Sequence, residues 1–222
     1  MFVKICAVTS PADAELAAEA GADAIGMILA PSRRQVGVGQ ARAIVAAVPP
    51  SVLTVGVFRD HSAREVIETV EAVGLRAVQL HGAEPPAISR QVHATVPVVI
   101  RAMAVDDPQL PAVDEHAADV VLVDAPVPGG GEVFDWTLLG DLTARHRILL
   151  AGGLHPGNVA DAIAAVGPWG VDVASGTEAS FGKKDPSAVR RFVAEARAAA
   201  ADLDDPHPPL AIAGQHAESD QP

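Results

Sequence analysis

Short apolar runs alternate with longer alanine-rich runs along most of the chain. Residues 2–5 read as a first strand. Ser10-Pro11-Ala12-Asp13 then opens a helix, with serine as cap and proline in the first turn, and Gly21 closes it. Residues 24–29 read as strand two, 38–48 as a helix stopped by Pro49-Pro50, and 52–58 as strand three. A helix over 62–73 ends at Gly74. Strand four (77–80), a helix (85–94) and strand five (96–101) follow. Residues 107–116 have weaker helical spacing and contain two prolines. Strand six covers 119–123 and a sixth helix 136–145. Strands seven and eight begin at Ile148 and Gly170 and flank a helical run over 156–166. The last helix starts at Asp185-Pro186 and runs to Ala201.

The pattern predicts eight strands and eight helices at roughly 25 residues per unit, the repeat of a (β/α)8 TIM barrel. The strands are continuously apolar rather than alternating, as parallel strands covered on both faces are. A doubly wound open α/β sheet is the competing fold, and it usually carries a dinucleotide fingerprint after strand one. Here strand one runs into Cys6-Ala7-Val8-Thr9, without glycine. The barrel is therefore expected over residues 1–201. From 202 to 222 the composition turns acidic, proline-rich and polar, which predicts a disordered tail without chemistry.

Strands seven and eight both run straight into glycines: Ala151-Gly152-Gly153-Leu154 and Ala174-Ser175-Gly176-Thr177. Parallel strands place their C-terminal ends on one rim, so these turns become neighbours. Backbone N–H groups bared by glycine can surround a phosphate there, and the loops after strands seven and eight are a common phosphate site in this fold. One such turn can be simply a tight turn. Two in successive units, with Ser175 beside the second, point to phosphate held at Gly152, Gly153, Ser175 and Gly176.

Composition narrows the partners. A net charge of −12 and a pI near 4.9 argue against a nucleic-acid backbone or an anionic membrane. A small anion stays possible, because a local cradle of amides and one arginine overrides the global field. The single cysteine, Cys6, excludes an intramolecular disulfide and leaves a metal without thiolate partners. No HxH, HxxxH or clustered aspartate pattern stands at a strand end, so no metal is expected. The chain enters its first strand directly, and no apolar run approaches a membrane span, so a cytoplasmic protein is expected, as monomer or homodimer.

The catalytic rim of a barrel is the C-terminal end of its strands. Polar residues predicted there are Cys6, Arg33, Arg34, Arg59, Asp60, His81, Glu84, Arg101, Asp124 and Asp172. Cys6 reads either as a small buried apolar residue or as a base whose thiol pKa is lowered. Asp124 ends the run Val120-Val121-Leu122-Val123, as ion-pair partner or as general acid. Arg34 is a carboxylate clamp or a surface arginine, and His81 a ligand contact or a satisfied rim histidine.

Taken together, the motifs resemble the phosphoribosylanthranilate isomerase family of tryptophan biosynthesis. The matching stretches are Lys4-Ile5-Cys6, Gly21-Ala22-Asp23-Ala24-Ile25-Gly26, Ser32-Arg33-Arg34-Gln35-Val36 and Val55-Gly56-Val57-Phe58. They continue through Val78-Gln79-Leu80-His81-Gly82, Leu122-Val123-Asp124, Phe134-Asp135-Trp136 and Leu150-Ala151-Gly152-Gly153-Leu154. The last are Val171-Asp172-Val173-Ala174-Ser175-Gly176-Thr177-Glu178 and Gly182-Lys183-Lys184-Asp185. The resemblance implies a cofactor-free Amadori rearrangement of an aminoaldose phosphate. By it, Cys6 is the general base and Asp124 the general acid. Arg34 and His81 line the anthranilate side, Asp172 lies near the amino group, and the two glycine turns hold phosphate.

The sequence departs from the family pattern at several loops. Ala7 follows the cysteine where glycine is usual. Pro128-Gly129-Gly130-Gly131-Glu132-Val133 replaces the usual Gly-Gly-Ser/Thr-Gly loop after strand six, Arg33 replaces a proline, and Met27-Ile28-Leu29 and Arg101 alter strands two and five. Two other readings stay in view. One is a related phosphosugar isomerase of the histidine-pathway type, which resembles a two-aspartate system and is opposed by Cys6. The other is a non-catalytic phosphosugar-binding paralogue, opposed by the presence of both Cys6 and Asp124.

Overall fold

The computed structural model describes residues 1–126, 133–201, 203 and 210. Eight parallel strands close into a barrel in sequence order. They are β1 (Phe2–Ile5), β2 (Ala24–Ile28), β3 (Leu53–Phe58), β4 (Ala77–Leu80), β5 (Val98–Ala104), β6 (Val120–Asp124), β7 (Ile148–Leu150) and β8 (Gly170–Val173). β8 pairs with β1, with Lys4 opposite Asp172 and Ile5 opposite Val173. Helices α1 (Pro11–Glu19), α2 (Val38–Ala46), α3 (Ala63–Val73), α4 (Pro86–His93), α5 (Leu142–Arg145), α6 (Val159–Val166) and α7 (Pro186–Ala199) surround it. Their starts follow from local chemistry. Ser62 and Glu65 form a reciprocal capping box at α3, and the Asp185 carboxylate accepts from Ser187 and Ala188 N–H at α7.

The eightfold repeat is as expected, with local departures. The run over 107–116 forms a 3-10 helix, Leu110–His116, with a non-helical residue at Ala112. Pro111 has no N–H to give an α-helical bond, which accounts for the tighter winding. The expected helix over 136–145 divides into a 3-10 turn, Trp136–Leu139, and the one-turn α5, because Gly140 adopts φ +50 between them. After β8 the chain adds an antiparallel pair, β9 (Glu178–Ser180) and β10 (Lys183–Lys184), where only loop was expected. The expected disordered tail lies outside the described residues except Leu203 and Leu210, and Leu210 is half-buried against the inner-barrel cluster. The glycine-rich loop after β6 also lies outside them, apart from Val133.

Strand alternation divides the core in two. Outward-facing residues pack under the helices. Inward-facing residues such as Leu53, Val55, Ile100, Leu122 and Leu149 fill the barrel, and Trp169 stacks on Phe2 at its N-terminal end. Four further polar residues, Lys4, Gln79, Asp124 and Asp172, are also buried, and they sit towards the C-terminal rim. Interiors bury such groups only when they are paired or used. No helix among the described residues is long and apolar enough to cross a membrane.

Candidate active site

The site begins with the alternation of β1. Lys4 and Cys6 are two residues apart, so both side chains point into the barrel. Lys4 is fully buried, and its Nζ donates to Asp172 Oδ1 at 2.9 Å across the β1–β8 pair. On the other side stands β2 with Gly26. A Cβ at Gly26 would lie 2.8 Å from Cys6 Sγ and 3.1 Å from Lys4 Nζ, so only glycine leaves room for this cluster. Burial holds the Cys6 thiol above its ordinary value, the opposite of the lowered value expected for a base, and the Lys4 ammonium offsets only part of that rise. Burial alone would lower the Lys4 pKa, yet Asp172 and Cys6 together hold it above the ordinary lysine value. Lysine therefore stays charged inside the barrel.

Asp124 ends β6 facing the same interior. Its Oδ1 accepts from Ala125 N–H at 2.8 Å. Burial, reinforced by the nearby Asp172 charge, pushes its pKa up to about 6. A carboxylic acid with that value can hold a proton near neutrality and give it away, the property a general acid needs. His81 follows β4. Burial and the Lys4 charge push its pKa down to about 4, so the ring is neutral. Gln79 Nε2 lies 3.0 Å from His81 Nδ1, and this hydrogen bond assigns the ring proton to Nε2. That Nε2 is buried, has no hydrogen-bond partner among the described residues and stands 3.7 Å from Asp124 Oδ2. The separation is too long for a hydrogen bond, and a neutral ring makes no ion pair.

The two glycine turns meet beside Asp124. Gly152 and Gly153 adopt φ +85 and +63, the left-handed region that glycine enters without penalty. Asn158 secures this turn: its Nδ2 donates to Gly153 O at 3.0 Å and its Oδ1 accepts from His155 N–H at 2.8 Å. Ser175–Thr177 form a 3-10 turn after β8. Gly176 is pressed so close to the first turn that a Cβ would lie 1.9 Å from Leu154 O. Asp124, Gly152, Gly153, Asp172 and Ser175 line one cavity of about 60 Å³. Behind the second turn, the buried Lys184 of β10 donates to Ala174 O at 2.8 Å.

A wider cleft of about 560 Å³ opens on the β2 and β4 side, lined by Arg33, Arg34, Arg59, His81 and Phe181 among others. Arg34 meets Glu178 with both forks, Nε and Nη2 each at 2.8 Å. Arg33 and Arg34 also pack on Phe181, with their Cζ atoms 4.0 and 3.9 Å from the ring centroid. Paired glycine turns, a protonatable carboxyl, a thiol and an arginine-lined aromatic cleft thus stand at one end of the barrel.

The family model for N-(5'phosphoribosyl)anthranilate (PRA) isomerase matches residues 3–195. The chain belongs to this family. The N-(5'-phosphoribosyl)anthranilate isomerase of Desulforudis audaxviator is 43% identical over 205 residues, covering 89% of this chain and 98% of its own. The crystal structure of phosphoribosyl anthranilate isomerase from Thermus thermophilus superposes with a TM-score of 0.84 at 39% identity, covering 89% of this chain and 99% of that one. A phosphoribosyl anthranilate isomerase in complex with reduced 1-(o-carboxyphenylamino)-1-deoxyribulose 5-phosphate superposes with a TM-score of 0.80 at 37% identity, over 89% and 99% of the two chains.

Within this isomerase barrel, Asp124, Asp172, Gly152, Gly153 and Ser175 line one cavity, Gly176 packs against the first glycine turn, Cys6 lies beside Gly26, and Arg34 and His81 line the wider cleft. Three rim candidates do other work. β5 runs on to Ala104, so Arg101 lies within the strand, and it faces outward because Ile100 and Ala102 face inward. It is buried, donating to Glu84 Oε2 at 2.7 Å, Leu80 O at 3.2 Å and Gly82 O at 2.9 Å. Glu84 also accepts from Asp60 N–H and Gly82 N–H, and Asp60 Oδ1 from Ala83 N–H. Arg101, Glu84 and Asp60 thus stitch the loops after β3 and β4 and fix the base of His81. Ala7 carries φ +59, a left-handed backbone that glycine enters more easily than alanine. Lys4, Glu178 and Phe181 were absent from the sequence-derived candidates. Lys4 was detectable, since a lysine two residues before Cys6 in an apolar strand must face the same interior. Glu178 and Phe181 carry no comparable signal, because the short β9–β10 hairpin that delivers them has no apolar periodicity. Among the described residues, no group of three or more His, Cys, Asp or Glu side chains could hold a metal ion.

Proposed function

We propose that this chain isomerises N-(5'-phosphoribosyl)anthranilate to 1-(2-carboxyphenylamino)-1-deoxyribulose 5-phosphate, with Cys6 as general base and Asp124 as general acid. The observation that supports the reading is three parts at one end of the barrel: the Cys6 thiol just after β1, the protonatable Asp124 ending β6, and the paired glycine turns beside Asp124. The rearrangement moves protons and needs no hydride acceptor. Asp124 gives its proton to the ribose ring oxygen, the C1–O bond breaks, and the nitrogen lone pair forms a Schiff base. That cation acidifies the C2–H bond. The Cys6 thiolate takes the C2 proton, and the electron pair of that bond forms the C1–C2 double bond of an enolamine. Protonation at C1 and loss of the C2 hydroxyl proton give the ketone.

Gly152, Gly153, Ser175 and Gly176 supply backbone N–H groups to the 5-phosphate, which anchors the sugar with its ring oxygen towards Asp124. The cationic cleft at Arg33 and Arg34 suits the anthranilate carboxylate and its aromatic ring. Asp172 lines the same cavity as Asp124, and in this reading it accepts from the sugar nitrogen. The test is turnover of freshly made substrate, followed by loss of its fluorescence. Cys6→Ser and Asp124→Asn should each lower kcat by about 10²- to 10⁴-fold while sulfate still competes for the phosphate turns. Wild-type turnover in either variant would refute the assignment of that residue.

A further inference from the structure

We propose that Lys4 is the internal counter-ion of the Cys6 base, its ammonium set between the sulfur and the Asp172 carboxylate so that the thiolate can exist inside the barrel. The proposal rests on the reading of Cys6 as base, and it makes Lys4 a positioning residue, acting through the sulfur. Three observations carry it. Lys4 has no exposed surface and lies level with Asp172 in the strand pairing. A long cation buried there serves the fold worse than an apolar residue, since charges are costly to take out of water. Asp172 engages one of the three ammonium hydrogens, and the sulfur lies on the same face of β1, two residues on. Finally, Gly26 leaves open the one volume that a side chain on β2 would occupy, 2.8 Å from the sulfur and 3.1 Å from the ammonium nitrogen.

The charges around the sulfur have opposed effects. Burial and the Asp172 carboxylate disfavour the thiolate, while Lys4 and, more weakly, Lys184 of β10 favour it. Lys4 Nζ holds Asp172 Oδ1 at 2.9 Å and also interacts with the sulfur, so one cation serves two acidic groups. Without the cation, two anions would face each other in a closed interior. With it, proton transfer from substrate carbon to sulfur discharges a partner of a pair that Asp172 still holds.

The chain contains one cysteine and no tyrosine, so ultraviolet titration of the full-length protein reads the Cys6 thiolate without interference. In Lys4→Met the ionisation midpoint should rise by at least about one pH unit. At neutral pH kcat should then fall about tenfold or more, recover as pH rises, and leave KM nearly unchanged. In Asp172→Asn the midpoint should move down. Opposite signs from two partners of one ion pair are not what general loosening would produce. Should Lys4→Met fail to fold, Lys4→Met/Asp172→Asn removes the stranded carboxylate, and its midpoint should still lie above that of Asp172→Asn. An unmoved midpoint in Lys4→Met, or a double variant equal to Asp172→Asn, overturns the proposal. With Cys6→Ser inactive, such a result removes the role of Lys4 alone. Full activity in Cys6→Ser removes the base assignment and this proposal together.

Discussion

Gly176→Ala is the sharpest perturbation of the phosphate turns. The new Cβ would sit 1.9 Å from Leu154 O and 2.9 Å from both Leu154 C and His155 Cβ. Ordinary carbon contacts begin near about 3.5 Å, so the two turns must part by roughly 1.5 Å. Two of the three clashing atoms belong to the backbone, so rotamer changes give no relief. Asn158 resists the movement, because its amide ties Gly153 O and His155 N–H into one turn. Forced expansion of this kind costs about 1–3 kcal/mol, equivalent to a Tm lower by roughly 2–12 °C in a domain of this size. The functional cost is of similar size. A hydrogen bond to a charged group contributes about 1.5–3 kcal/mol, so misplacing one amide should raise KM and lower kcat/KM by about 10- to 100-fold. The assay is steady-state turnover with sulfate as competitor. Sulfate inhibition should weaken in parallel with KM, while the Cys6 ionisation midpoint stays where it was. Wild-type KM and sulfate inhibition in a folded Gly176→Ala protein would refute the phosphate assignment.

Asp124→Asn should be inactive yet more stable at alkaline pH. Burial raises the folded pKa from 3.8 to about 6, so the protonated form's contribution is complete below the lower value and lost as pH rises through the upper one. The charged form then costs about 2–3 kcal/mol at pH 8, and asparagine avoids it, so thermal melts should show a higher Tm than wild type there and a near-equal one at pH 4. Arg101→Met should leave Glu84 buried without its cation and lower stability by about 3–5 kcal/mol in chemical denaturation. Adding Glu84→Gln should recover part of the loss. Glu178→Gln should loosen Arg34 and raise KM by a few fold with kcat nearly kept, as both forks of the pair in the cleft are disturbed. Equal KM in that variant would mean that Arg34 is oriented by Phe181 alone.

The order of elements was legible because each is specified by neighbours in sequence. Ser62 caps with Glu65, Gly74 closes α3, and Asp185-Pro186 starts α7, whatever the rest of the chain does. The glycine turns were legible for the same reason, since their left-handed backbone is a local demand. Cys6 and Asp124 were legible by position, because the end of a parallel strand is the rim of a barrel. What those residues experience was not. The Lys4–Asp172 pair joins residues 168 apart in sequence, and Arg34 meets Glu178 across 144. Arg101 looked like a rim residue until β5 extended past it and turned its side chain outward to Glu84. Even the reason for Gly26 lies on another strand, in the sulfur and the ammonium it makes room for. Backbone preference is a property of a few adjacent residues, and a chain can state it alone. Burial, charge pairing and the pKa values they set depend on atoms that only closure of the barrel brings within a few ångströms of each other.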